Sequence, residues 1–291
     1  MDKSKLAIFL LVIITFIWGY SFVSSSQLIN SGVSSELLLF ARFGIGAIAL
    51  AIIGFPKIKK SKIIEVKAGV IVGLCIIFAM YMQNQSFNYT SISKSSFIAS
   101  SAIIIVPFLA YAINKSSVTI KNLIGLALAM VGTIILSVDA TTFTSINFGD
   151  LLAILSAFGF AFQIVLLAKF GKGTNAICVA FYQTLTVSLG GLLLVLINGS
   201  PIDVLFDEAN IFPLLYLGLL ATAICYIVQT WASKYVKEVV LSVIISAQAL
   251  IAAFLDVIVL HNDLTSQLLI GGTLISTAIV YLVFDKENKK E

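Results

Sequence analysis

The chain has 291 residues, 59% of them apolar and 11% charged, with a net charge of +4 and a mean hydropathy of +1.08. Soluble domains carry about 25% charged residues, so this composition excludes a water-soluble globule and requires an integral membrane protein. A spanning helix consumes about 20 residues, and ten of them leave no stretch long enough for an appended ATPase, kinase or receptor domain.

Scanning with a window of about 19 residues predicts helices over 6–26, 35–55, 66–86, 93–113, 120–138, 149–169, 174–197, 211–233, 238–260 and 266–284. Lys3 and Lys5 precede an apolar run from Leu6 to Val23 that is too long for a signal-peptide core, so the first run reads as an uncleaved helix. Asn30-Ser31-Gly32, Pro56, Asn114 to Thr119, Thr141 to Asn147, Asn198 to Pro201 and His261-Asn262-Asp263 supply the breaks. If both termini face the cytoplasm, 16 of the 18 basic residues fall in inside segments, Lys94 alone falls outside, and Arg42 lies within the second helix. That asymmetry follows the positive-inside rule at every loop pair and places the chain in the cell membrane with cytoplasmic termini. The lysine surplus thus sets membrane orientation and implies no nucleic-acid partner. Cys75, Cys178 and Cys225 sit singly in apolar runs, which argues against zinc sites and disulfides.

The two halves match at a constant offset of 146 positions: Gln83 with Gln229, Tyr89 with Tyr235, Ser100 with Ser246, Thr119 with Thr265 and Gly125 with Gly271. Five matches along two helices and two loops indicate a duplicated unit of about five helices, spanning 1–140 and 145–287. Five is odd, so the second copy enters the membrane from the opposite side. The expected fold class is an all-α membrane protein of ten transmembrane helices in two inverted five-helix repeats, an arrangement that places a substrate site near the midplane.

Trp18 to Phe22 (WGYSF), Arg42-Phe43, Asn88 to Phe97 (NYTSISKSSF), Pro107, Asn147 to Leu152 (NFGDLL) and Ala221 to Tyr226 (ATAICY) stand in an order and spacing that resembles the EamA branch of the drug/metabolite transporter superfamily. The resemblance covers nearly the whole chain. It implies a cavity lined mainly by helices 1 to 4 and 6 to 9, peripheral helices 5 and 10, and movement of small polar metabolites, often amino acids and frequently outward. Where many members of that family carry Glu-Pro in helix 9, this chain has Gln248-Ala249, and His261-Asn262 replaces a Gly-Glu beyond it. Without the proline, a family-like kink in helix 9 loses its basis.

Polar side chains in hydrocarbon face a cavity or a partner. Gln83 and Asn84 near the end of helix 3, with Ser96 and Ser100 four apart on one face of helix 4, are candidates for binding a polar solute, and small residues that bring helices together are the alternative. Tyr226 and Gln229 share a face of helix 8 with Ser233, and Gln229 is the strongest single candidate. Gln163 in helix 6 and Gln183 in helix 7 are weaker, because an isolated amide can simply bond a neighbouring helix. Trp18 and Tyr20 either wall a cavity, hold an ammonium group against a ring face, or pack. Pro107 removes a backbone donor inside helix 4 and marks a bend, static or hinged. Arg42 and Asp256 lie at similar depth and can pair; Asp256 is then a proton-coupling residue or a structural counter-charge. Lys94 at the outer mouth is expected to be solvated.

No metal or nucleotide cofactor is implied, and the partners are a small polar solute and the lipid bilayer. Gly125, Ala129 and Gly132 can pair two copies into a homodimer, although a monomer suffices. The chain lacks H-E-x-x-H, G-x-S-x-G and a phosphate loop, since Gly171 to Thr174 has no upstream glycine. A membrane enzyme is therefore the weaker alternative to a carrier, beside a lipid-flipping or non-transporting assembly protein.

Overall fold

A computed structural model describes residues 2–90, 92–137, 147–251, 254–255 and 266–283. Its helices are α1 Lys3–Asn30, α2 Ser35–Ile58, α3 Ile63–Ser86, α4 Ile92–Ser100, α5 Ala102–Asn114, α6 Ile120–Ser137, α7 Phe148–Gly171 and α8 Ala176–Asn198. A 3-10 turn at Asp203–Phe206 leads to α9 Glu208–Leu215, a π-helical segment Tyr216–Ile224 and α10 Cys225–Ala232, followed by α11 Glu238–Ser246 and α12 Ser266–Val283. Helix is what a bilayer imposes, because each unpaired backbone group in hydrocarbon costs several kcal/mol.

Among the described residues, seven helices are long and apolar enough to cross a membrane: α1, α2, α3, the α4–α5 pair over Lys94–Asn114, α7, α8 and the α9–α10 stack over Glu208–Ala232. Shorter apolar helices cover Ile120–Ile135, Glu238–Ile251 and Leu269–Leu282. Each of the ten predicted windows overlaps one of these elements.

Local chemistry sets the ends. Asp2 accepts a hydrogen bond from the Ser4 amide, Ser34 from the Leu37 amide, and Asn147 from the Asp150 amide, while the Asp150 carboxylate in turn accepts from the Asn147 amide. Gly199 closes α8 at φ 65°, a left-handed conformation that favours glycine.

The bundle packs α2 on α8, α3 on α7 and α8, and α6 on α12. Close approach of α6 and α12 uses the small residues: a Cβ at Gly132 would meet the Gly271 carbonyl at 2.7 Å, and one at Gly125 would meet Leu282. The stripe considered for pairing two copies is thus consumed inside the chain. Large apolar side chains such as Phe9, Phe16, Ile52 and Leu196 point outward, as a lipid-facing surface requires.

The 146-residue offset reappears in the element boundaries. α4 and α11 finish at Ser100 and Ser246, and α3 and α10 finish at Ser86 and Ala232. Both copies are interrupted at equivalent points, Ser101 and Ala247. In span four the interruption precedes Pro107, and α5 runs unbroken through that proline. In span nine it occurs without any proline, so loss of the family's Glu-Pro did not give a continuous helix there. Ser100 and Ser246 each turn a hydroxyl back onto their own helix, accepted by the carbonyls of Ser96 and Val243, a substitute for regular pairing that bends helices.

Candidate functional site

The alternating helices give the bundle two ends. One carries the beginnings of α2, α4 and α7 with the ends of α1, α3 and α8; it holds Lys94 and is otherwise poor in lysine. The other is lysine-rich. Polar contacts between helices tie the lysine-poor end. Glu36 accepts from the Ser200 hydroxyl at 2.5 Å and from Asn198 at 3.3 Å. Ser31 donates to Asn210 at 2.8 Å. Lys94 is buried in an ion pair with Asp150 at 2.7 Å, so the expected solvated lysine is corrected to a structural one. Its position follows from the Asn147–Asp150 cap, which brings the carboxylate to the start of α4, where Thr90 also donates to it at 3.2 Å.

At the lysine-rich end Glu65 accepts from the amides of Lys62 and Asn175 at 2.8 and 2.7 Å, and Glu238 accepts from Asn114 at 2.8 Å. The Lys234 ammonium donates to the Thr174 carbonyl. Burial pushes the Lys234 pKa below the ordinary lysine value, partly offset by the Glu65 carboxylate.

Between these ends lies a cavity of about 800 Å³, its open mouth included. Its lining starts at Phe87 and Ser25, beside the lysine-poor end, and finishes at Gln163, Gln229 and Ser242 in the half nearer the lysine-rich end. Toward the lysine-rich end Val165, Leu167, Ala232 and Val236 are fully buried. The floor is a reciprocal amide pair: Gln163 donates to Gln229 at 3.0 Å, and Gln229 donates back at 3.3 Å. Gln163 therefore does bond a neighbouring helix, and the same pair faces the cavity.

Gln83 and Asn84 form one wall, from the last turn of α3. The Gln83 side chain is 4% exposed, yet its amide nitrogen has no hydrogen-bond partner among the described residues. Ser100 faces them from the interruption of span four. The opposite wall is aromatic and cationic. The Trp18 indole donates to the Ala221 carbonyl at 2.8 Å and meets Tyr226 edge-on at 5.8 Å. Arg42 is 3% exposed; its Nε donates to the Thr222 hydroxyl at 3.0 Å, and its guanidinium lies over the Phe43 ring at 5.4 Å.

Both acceptors belong to the π-helical segment, whose wider winding, of a kind frequent at functional sites, presents Ala221 and Thr222 to α1 and α2. Gly46 allows that approach, since a Cβ there would sit 2.6 Å from the Thr222 methyl.

Of the residues singled out from sequence, the cavity thus gathers Trp18, Arg42, Gln83, Asn84, Ser100, Gln163, Tyr226 and Gln229. Tyr20 does not line it and packs edge-on against Tyr216 at 5.0 Å. Ser96 is buried outside the lining, Pro107 is buried in the core, and Ser233 bonds the Thr230 carbonyl instead of joining Tyr226 and Gln229. Asp256 lies outside the described residues. Span seven contributes no described lining residue; Gln183 is fully buried and reaches Thr230 at 3.5 Å.

Sequence reasoning missed Ser21 and Ser25, Ser242 and Ser246, and Gln248, all in the lining. The signal was present: Trp18, Ser21 and Ser25 recur at three- and four-residue spacing on one face, and Ser242 and Ser246 are four apart.

An all-helical membrane bundle enclosing a polar cavity has the form of a solute transporter. Two segments, residues 5–138 and 147–284, each match the EamA-like transporter family. The chain belongs to that family. It is 24% identical over 216 residues to an uncharacterized transporter of Archaeoglobus fulgidus, covering 74% of this chain and 68% of that protein. It is 21% identical to the uncharacterized transporter YoaV of Bacillus subtilis, over 96% and 97% of the two chains. A solved crystal structure superposes with a TM-score of 0.78 over 97% of this chain and 96% of that one; at 15% identity the likeness is of fold alone.

Proposed function

We propose that the protein is a secondary transporter that exports small polar metabolites such as amino acids across the cell membrane by alternating access. It does so with ten spans arranged as two inverted repeats, 1–140 and 145–287, and with both termini in the cytoplasm. One observation carries the reading: a cavity deep in an apolar bundle sets a group of amides and hydroxyls, which both donate and accept hydrogen bonds, among its apolar lining residues. Lipid tails would leave those amides and hydroxyls unanswered, whereas a polar solute recovers on them the bonds it loses on leaving water. A lining that runs from Phe87 and Ser25, near the lysine-poor end, to Gln229 and Ser242 fits, in this orientation, an outward-facing state. The 146-residue match of α4 with α11, and of both interruptions, supports two equivalent halves that exchange roles as access alternates.

The test compares metabolites inside and outside cells expressing the native chain, the Gln229→Ala variant and an empty vector, at matched membrane levels. Export predicts a small polar compound enriched in the medium with the native chain and reduced with Gln229→Ala. Identical profiles in all three would refute export through this cavity.

A further inference from the structure

The charge of the cavity, and not only its polarity, specifies a substrate. Among the described lining residues Arg42 is the one ionised side chain, and no carboxylate faces it. Its Nε is satisfied by Thr222, while Nη1 and Nη2 have no hydrogen-bond partner among the described residues. Thr222 and Phe43 fix the guanidinium from two sides without neutralising it. A desolvated cation is expensive unless paired, and the groups at hand, Tyr226 and Trp18, are neutral aromatics 5.8 Å apart. The free end of the guanidinium is a planar fork that matches a carboxylate with two parallel hydrogen bonds.

We propose, on the basis of the transporter reading above, that Arg42 receives the carboxylate of the substrate, which is a small organic monoanion. One fixed positive charge is balanced by one negative charge; a phosphate dianion would leave an excess charge in the same low-dielectric space. A zwitterion places its carboxylate equally well, but the described lining offers its ammonium group only neutral acceptors and ring faces. The preferred order is therefore a hydroxy acid or N-acylated amino acid first, a free amino acid second, and solutes without a carboxylate last. The uncharged body of such a solute extends toward the Gln163–Gln229 pair.

The experiment measures thermal stabilisation of the purified full chain by matched pairs at equal ionic strength: lactate against lactamide, N-acetylglycine against N-acetylglycinamide, and glycine against glycinamide, with inorganic phosphate and chloride as further probes. Each acid is expected to stabilise the protein where its amide does not, with lactate and N-acetylglycine ahead of glycine. Arg42→Gln is expected to weaken acid binding about tenfold to a hundredfold, the loss of a charge-assisted bond, and Arg42→Lys to weaken it less. Should Arg42→Gln not fold, the acid–amide comparison on the native chain and Arg42→Lys still decide.

Amides that bind as well as their acids, phosphate as the sole stabilising anion, or a folded Arg42→Gln that binds acids normally would each overturn the proposal. So would a preference for acids that emerges only in Asp256→Asn, because Arg42 would then already hold the chain's own carboxylate. The metabolite comparison separates the two readings. An exported solute lacking a carboxylate leaves the transporter standing and refutes the anion anchor; no exported solute together with no stabilising acid refutes both.

Discussion

Replacing Lys94 by methionine keeps the length of the side chain and removes one charge of a buried ion pair. The Asp150 carboxylate stays behind, 4% exposed, with the Thr90 hydroxyl at 3.2 Å and the Asn147 amide at 3.0 Å as donors but without the ammonium at 2.7 Å. Breaking one side of a buried pair costs 3–5 kcal/mol, and the two surviving donors place this case at the lower end, about 3 kcal/mol. For 291 residues the unfolding entropy is about 0.6 kcal/mol per degree, so the midpoint of thermal unfolding should fall by about 5 °C at a fixed scan rate. The double variant Lys94→Met, Asp150→Asn removes both charges and keeps an oxygen to receive the cap. It should recover to within about 1 kcal/mol of the native chain, so that with the Asp150→Asn single variant included the coupling between the two sites is at least about 2 kcal/mol. A Lys94→Met midpoint within a degree of native, with no coupling in the double variant, would show that the pair is solvated and that the rim is not held by it.

Gly46→Ala should lower stability by about 1 to 3 kcal/mol, because its Cβ would press on both the Thr222 methyl and the Gly218 carbonyl. Gly199→Ala meets no neighbouring atom within 4 Å and should cost only the left-handed backbone, about 1 kcal/mol; thermal midpoints of the two variants would compare these costs. Glu65→Ala leaves the Lys62 and Asn175 amides without their acceptor and should destabilise by about 2 to 4 kcal/mol, whereas Glu65→Gln, which keeps one amide oxygen, should lose less. Lys234 has a pKa below that of an unfolded lysine, so the unfolded state binds more protons between the two values and this group's contribution to stability rises with pH through that window. Unfolding midpoints from neutral pH upward should therefore show a smaller rise in Lys234→Met than in the native chain.

Much of the fold is written in one dimension. Apolar run length and the position of lysines fix where helices lie and which loops share a side, because the cost of desolvating backbone and charge is local and additive along the chain. The repeat was legible for the same reason: Ser100 and Ser246, matched in sequence, mark the ends of α4 and α11. The amides Gln83, Gln163 and Gln229 were legible as candidates because an uncharged hydrogen-bonding group in hydrocarbon needs a partner or a cavity.

What sequence did not decide was which of those two each residue has, since this depends on side chains brought together from distant positions. Gln183 and Gln229 are equivalent as letters in apolar runs, yet one is fully enclosed against Thr230 and the other faces the cavity. Lys94 reads as a solvated outer lysine until the cap at Asn147 delivers Asp150 to it across 56 residues of chain. Arg42 reads as a charge in search of a counter-ion, and only the packing of α2 against the π-helical segment gives it a hydroxyl on one side and an open cavity on the other. Length and charge determined the membrane class and the succession of helices; the close approach of Gly46 to Thr222, set by three-dimensional packing, decided where the cation faces.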